Sequence, residues 1–272
     1  MTRLFDKAIV RKPSKSLGSC VSPYVSRFPV DFPKALDQYR ELIKILKSEG
    51  IEIIELEPLD KYPDSVFVQD EAVIGNRSKR ALLSYFGEPS RRGEEEQLLD
   101  LLRSEGFAVE RIRPPGTLEG GDVVVTDRGV VFVGKTVRTN EEGINQFIKF
   151  FASEDIRFVV VPSDRFIHIS AGVRYLEDNY IVLASGTADP KYFEGFKIIT
   201  LRENLSPVKA ESGARAYLLY IGERKVILPP GNDRFAEELK KYGFEVIFLD
   251  FTEFWKCNGS YMCLIQPFYN FL

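Results

Sequence analysis

The sequence predicts an α/β fold in which one strand–hairpin–helix unit is used five times and closes around an axis. Three observations carry this. Five times a helical segment ends at a Gly or Asp and an apolar strand follows at once. The segments before those points show helical spacing of apolar residues, and the segments after the strands read as hairpins. The junctions are Gly50, Gly106, Asp155, Gly195 and Gly243, spaced 56, 49, 40 and 48 residues apart. Glycine just past a helix end takes the left-handed cap at little cost.

Taken in order, the first helix carries Leu36, Tyr39, Ile43 and Leu46 and leads into IEIIEL. FVQDEAVIG and ALLSYF form a hairpin, a helix over 91–105 follows the turn Gly87-Glu88-Pro89-Ser90, and FAVERI is its strand. DVVVT-DRG-VVFVG is the clearest hairpin. Its helix opens with a Thr139/Glu142 capping box and carries Ile144, Phe147, Ile148 and Phe151. IRFVVV, the hairpin GVRYL–EDN–YIVLA and FKIITL come next. AYLLYI–GER–KVILP, a helix capped by Asp233 and FEVIFL make the fifth unit, and SYMCLIQPF is a truncated last one. The strands after the junctions are rich in Val, Ile and Phe, as buried strands are. No linker or charge block divides the chain, so residues 1–272 are expected to be one domain.

Composition removes several function classes. With 44% hydrophobic and 28% charged residues the 272-residue chain is globular, not disordered. No stretch nears 20 apolar residues, and Met1–Asp6 lacks a signal-peptide core, so no membrane partner and a cytoplasmic location are expected. A net charge of −3 argues against nucleic acid. Three cysteines, an odd number, suit reduced thiols better than a disulfide framework. One histidine and no CxxC spacing leave no zinc site, and no phosphate loop is present, so no cofactor and no metal are expected.

The repeat phase assembles a candidate site. Asp64, Glu119 and His168 lie 14, 13 and 13 residues after their junctions; Asp70 and Cys263 each lie 20 after theirs. The fourth unit places only Val208 and Lys209 at those phases. If the units close, equal phases face one axis and bring a thiol, an imidazole and three acids together. A cysteine with a histidine is a nucleophile with a proton shuttle, and a carboxylate can hold the imidazole. Surrounding acids suppress thiolate formation unless the substrate is a cation. A guanidinium fits: its planar fork pairs with carboxylates and its central carbon is electrophilic. Taken singly, Cys263 reads as a small buried hydrophobe, His168 as a structural histidine, Gly120-Gly121 as a tight turn and Arg91-Arg92 as a solvated helix start. The dipole disfavours cations at a helix start, which gives these arginines a mild need for an anion.

Leu118-Glu119-Gly120-Gly121-Asp122, Val66-Phe67-Val68-Gln69-Asp70, Pro89-Ser90-Arg91-Arg92 and Arg138-Thr139-Asn140 resemble the dimethylarginine dimethylaminohydrolases of the pentein, or amidinotransferase-like, superfamily. The motifs keep the family's order from Ala8-Ile9-Val10-Arg11 to Cys263. The resemblance implies a five-bladed pseudo-symmetric α/β propeller that hydrolyses the guanidino group of N-methylated L-arginine to citrulline and an amine. It implies Cys263 as nucleophile, His168 as general acid and base, and Glu119 as its orienting acid. Asp64, Gln69 and Asp70 would grip the substrate head, Arg91 and Arg138 its α-carboxylate, and the Cys257 carbonyl its amino group. Gln69 stands where a glutamate is common, and Asn258 where an aspartate is often found. The competing expectations are a compact hydrolase or amidinotransferase of unmethylated guanidino compounds, and a non-enzymatic pentein used as a binding surface. The expected partner is a small guanidino substrate, with a homodimer admitted.

Overall fold

The computed structural model describes residues 3–22, 25–205 and 214–272. The chain runs through β1 (Lys7–Arg11), α1 (Phe32–Ser48) and β2 (Glu52–Leu56), then β3 (Ala72–Gly75), β4 (Arg80–Leu83), α2 (Glu96–Ser104) and β5 (Ala108–Arg111). β6 (Val123–Val125), β7 (Val130–Lys135), α3 (Glu141–Phe151) and β8 (Arg157–Pro162) follow, then β9 (Val173–Tyr175), β10 (Tyr180–Ala184) and β11 (Lys197–Leu201). β12 (Leu219–Gly222), β13 (Lys225–Leu228), α4 (Asp233–Lys241), β14 (Glu245–Phe248), α5 (Thr252–Lys256) and β15 (Gln266–Tyr269) complete it.

The result is an α/β fold with mixed sheets. Each unit is a triplet: two antiparallel strands, then a third that returns parallel to the second. β3-β4-β5, β6-β7-β8, β9-β10-β11 and β12-β13-β14 share this pattern. The C-terminal strand completes the first triplet, because β15 pairs antiparallel with β1, which runs parallel to β2. β15 also runs parallel to β3, joining two triplets into a six-stranded sheet.

All five expected junction strands form, and Gly50, Gly106, Gly195 and Gly243 cap with φ of 77°, 83°, 90° and 85°. Several local expectations are corrected. The junction strands are not buried; they are the half-exposed outer edges of the triplets, while β3, β6, β9 and β12 are wholly buried inside. The helix expected over 91–105 begins only at Glu96, because Gly93, at φ 104°, breaks it. Asn140, not Thr139, caps α3, its side chain accepting from the Gly143 amide. Asp233 is the first residue of α4 rather than its cap. The fourth unit replaces its helix with a 3-10 turn, Pro190–Phe193. Its phase positions, Val208 and Lys209, lie outside the described residues.

No described helix is long and apolar enough to cross a membrane. The expectation of three reduced thiols is corrected: Cys20 and Cys257 form a disulfide and only Cys263 is free. The odd count thus separates a covalent pair from one reactive candidate.

Candidate active site

Four 3-10 turns stand at the entrances of inner strands: Val68–Glu71 before β3, Gly120–Asp122 before β6, Ile169–Ala171 before β9 and Met262–Leu264 before β15. Asp70 lies in the first and Cys263 in the fourth, and Glu119 and His168 immediately precede the second and third. The repeat therefore supplies one chemical group per turn. Gly120-Gly121 is not a positive-φ turn but a place where backbones nearly touch. A Cβ on Gly120 would lie 2.0 Å from the Gln69 carbonyl oxygen. One on Gly121 would lie 2.6 Å from Asp70 Oδ1 and 2.7 Å from His168 Nδ1. Asp122, buried with its carboxyl pushed up to about 6 by that burial, accepts the Ile169 amide at 2.8 Å and so fixes the backbone beside His168.

His168 lies between two acids. Its Nε2 is 2.7 Å from Glu119 Oε2 and its Nδ1 is 3.7 Å from Asp70 Oδ1. Burial alone would favour neutral imidazole, but the Asp70 charge and the Glu119 hydrogen bond outweigh it and raise His168 to about 9. Burial likewise opposes the Glu119 carboxylate, yet His168 and Arg138 hold it down to about 2. Glu119 also accepts from the Gly87 amide at 3.0 Å and from Arg138 Nη1 at 3.2 Å. Asp70 accepts the Gly121 amide at 3.1 Å and Arg91 Nη1 at 2.7 Å.

Asp64, Asp70, Arg138, His168 and Cys263 line one cleft with an empty volume of about 360 Å³. Asp64 sits at its edge, where Oδ2 accepts the Val21 amide at 2.9 Å; burial raises its carboxyl above the ordinary range against the pull of Arg91. Cys263 is half-buried. Burial and the Asp70 charge push its thiol up, so the unliganded site pairs a neutral thiol with an imidazolium. The arrangement can accept a cation among its acids, donate a proton from His168, and attack with sulfur once the acid charge is neutralised.

The remaining sequence candidates divide. Arg91 lines the cleft, but all three of its nitrogens already donate to Glu94, Asp70 or backbone carbonyls, so it anchors Asp70 rather than standing free for an anion. Gln69 faces a separate cavity lined also by Val123, Val173 and Tyr269, not the cleft, because adjacent residues of a tight turn point to different sides. Cys257 does line the cleft, with its sulfur tied to Cys20.

Sequence reasoning missed Ser260 and Arg174. Ser260 Oγ is 3.4 Å from Cys263 Sγ and accepts Arg174 Nη2 at 3.2 Å. The signal was available: Arg174 is a charged residue inside the otherwise apolar strand run GVRYL. Asp70, Glu119 and His168 also offer ligand atoms within 4.8 Å of one another. Arg91 pairs with Asp70, Arg138 pairs with Glu119, and Glu119 holds His168 as an imidazolium, so a metal ion would have to displace these existing partners.

A family profile described as N,N dimethylarginine dimethylhydrolase, eukaryotic, matches residues 31–192. An uncharacterised protein of Aeropyrum pernix is 38% identical over 99% of this chain and 98% of its own. The N(G),N(G)-dimethylarginine dimethylaminohydrolase of Pseudomonas aeruginosa is 32% identical over 97% of this chain and 100% of its own. A solved structure of that organism's enzyme, a cysteine-to-serine variant complexed with citrulline, superposes with a TM-score of 0.86 at 30% identity, covering 98% of this chain and 100% of that one. The chain accordingly belongs to the dimethylarginine dimethylaminohydrolase family of the pentein superfamily, hydrolases acting on the C–N bonds of amidines.

Proposed function

We propose that this protein hydrolyses the guanidino group of N-methylated L-arginine to L-citrulline and an amine through a covalent intermediate on Cys263. We further infer that residues 1–272 form a single catalytic domain and that its five triplets close as a five-bladed propeller. The observation that carries the reading is the His168 ring held between Glu119 and Asp70 at the wall of the cleft that holds Cys263. The relatives named for this reaction support it.

The guanidinium docks on Asp64 and Asp70, and its charge offsets the field that keeps Cys263 protonated. Arg138, at the cleft rim, holds the α-carboxylate; Arg91 adds positive charge while anchoring Asp70. The Cys257 carbonyl is assigned to the amino group. With the guanidinium bound, the Cys263 thiol loses its proton to solvent and the thiolate attacks the guanidino carbon, forming the S–C bond; His168 then protonates the departing amine as the C–N bond breaks. The resulting neutral imidazole takes a proton from water, which attacks the thiouronium carbon. Collapse breaks the C–S bond and returns the thiolate, the hydroxyl proton passes to solvent as the citrulline carbonyl forms, and His168 is left as the imidazolium.

Mass spectrometry of products from dimethylarginine, arginine and agmatine tests the assignment. Citrulline with dimethylamine is the expected outcome; ammonia from arginine alone would move the substrate to the unmethylated class. Cys263→Ser is expected to abolish turnover while retaining arginine-analogue binding, and an active variant would remove the nucleophile assignment.

A further inference from the structure

A second recess adjoins the cleft, sharing Cys263 and His168 with it, and is lined further by Arg174, Ser260 and Tyr217. Arg174 is buried. Its Nε donates to the Ala216 carbonyl at 3.2 Å and its Nη2 to Ser260 Oγ at 3.2 Å. Among the described residues no carboxylate pairs with it: its strongest electrostatic neighbour is Cys263, followed by Tyr269 and Tyr217. A buried guanidinium without a counter-anion is costly, and burial holds Arg174 below its ordinary value. The one group beside it that the proposed reaction makes anionic is the sulfur, reached through a hydroxyl 3.4 Å away.

We infer that Arg174 is a positioning residue for the nucleophile: through the Ser260 hydroxyl it sets a fixed positive charge beside Cys263 that stabilises the thiolate. This rests on the reading of Cys263 as nucleophile and deepens it. The Ser260 hydroxyl accepts from Arg174, which leaves its own hydrogen to donate to the sulfur. Two opposed fields then act on one atom. Asp70 on the cleft side works against ionisation, and Arg174 and Ser260 on the recess side favour it. The His168 imidazolium lines both spaces, with Asp64, Arg91 and Arg138 in the cleft and Arg215 and Tyr217 in the recess. A bound guanidinium cancels the acid side, and the Arg174 charge persists through the cycle.

The test is the pH dependence of Cys263 alkylation by iodoacetamide in the unliganded protein, where the new S–C bond expels iodide. It titrates the thiol whatever the substrate, so its outcome is separable from that of the function proposed above. Arg174→Met is expected to raise the midpoint by about one pH unit or more, which cuts the rate about tenfold below the midpoint. Arg174→Lys is expected to restore most of the rate, and Ser260→Ala to shift the midpoint in the same direction by less. Should Arg174→Met not fold, Ser260→Ala and Arg174→Lys still decide. A Ser260→Ala midpoint equal to the parent's, or an Arg174→Lys shift as large as that of Arg174→Met, overturns the inference.

Discussion

The chain contains a single histidine, so the ring protons of His168 give one imidazole resonance pair, and its titration can be followed without assignment. The two acids raise its midpoint from an ordinary 6.5 to about 9. At 1.36 kcal/mol per pH unit this is roughly 3 kcal/mol in favour of the imidazolium. Against burial, the Asp70 charge, the Glu119 hydrogen bond and charge, and the Asp122 charge all favour the protonated ring. Glu119→Gln keeps the shape and one acceptor but removes the charge, so the midpoint is expected to fall by about one unit or more. Folding raises His168, so its contribution to stability is whole below 6.5, its unfolded value, and is lost as pH rises through about 9. Folding lowers Glu119, so its contribution is whole above 4.5 and is lost as pH falls through about 2. Both describe one shared bond and are not summed; the pair contributes fully between those two unfolded values. A parent midpoint near 6.5, or a Glu119→Gln midpoint unchanged from the parent's, refutes the electrostatic account.

Two further outcomes follow from the packing. Gly121→Ala places a methyl against Asp70 and His168, so kcat/KM is expected to fall about 100-fold, for a stability cost of ~1–3 kcal/mol by thermal melting. A variant as active as the parent would show that the two side chains can part freely. Arg11 Nη2 donates to both Glu71 carboxylate oxygens, at 2.9 and 2.8 Å, and both side chains are wholly buried. Arg11→Met strands the Glu71 carboxyl and is expected to cost ~3–5 kcal/mol, and adding Glu71→Leu to recover most of it; equal melting temperatures for the two variants would contradict this.

The repeat was legible because each unit repeats the same local chemistry: a glycine cap, an apolar strand and a short hairpin turn. Its phase arithmetic also brought Asp70, Glu119, His168 and Cys263 to neighbouring turns. What the arithmetic could not show was direction. Gln69 and Asp70 are consecutive yet face different spaces, and Arg91 reads as a free cation until Glu94 and Asp70 are seen around it. The Cys20–Cys257 bond joins residues 237 apart in sequence, and nothing local to either cysteine announces the other.

That bond bears on how the molecule reaches its active form. A cross-link closing so long a segment restricts the unfolded chain by about 5 kcal/mol on the chain-entropy account. It clasps the loop whose Val21 amide holds Asp64 to the segment leading to Cys263, so the two rims of the cleft are covalently one piece. Three cysteines can pair in three ways, and two of those consume the nucleophile. An oxidised chain therefore keeps its candidate nucleophile only when Cys20 pairs with Cys257, and a batch of chains bridged through Cys263 would be silent protein rather than slow enzyme.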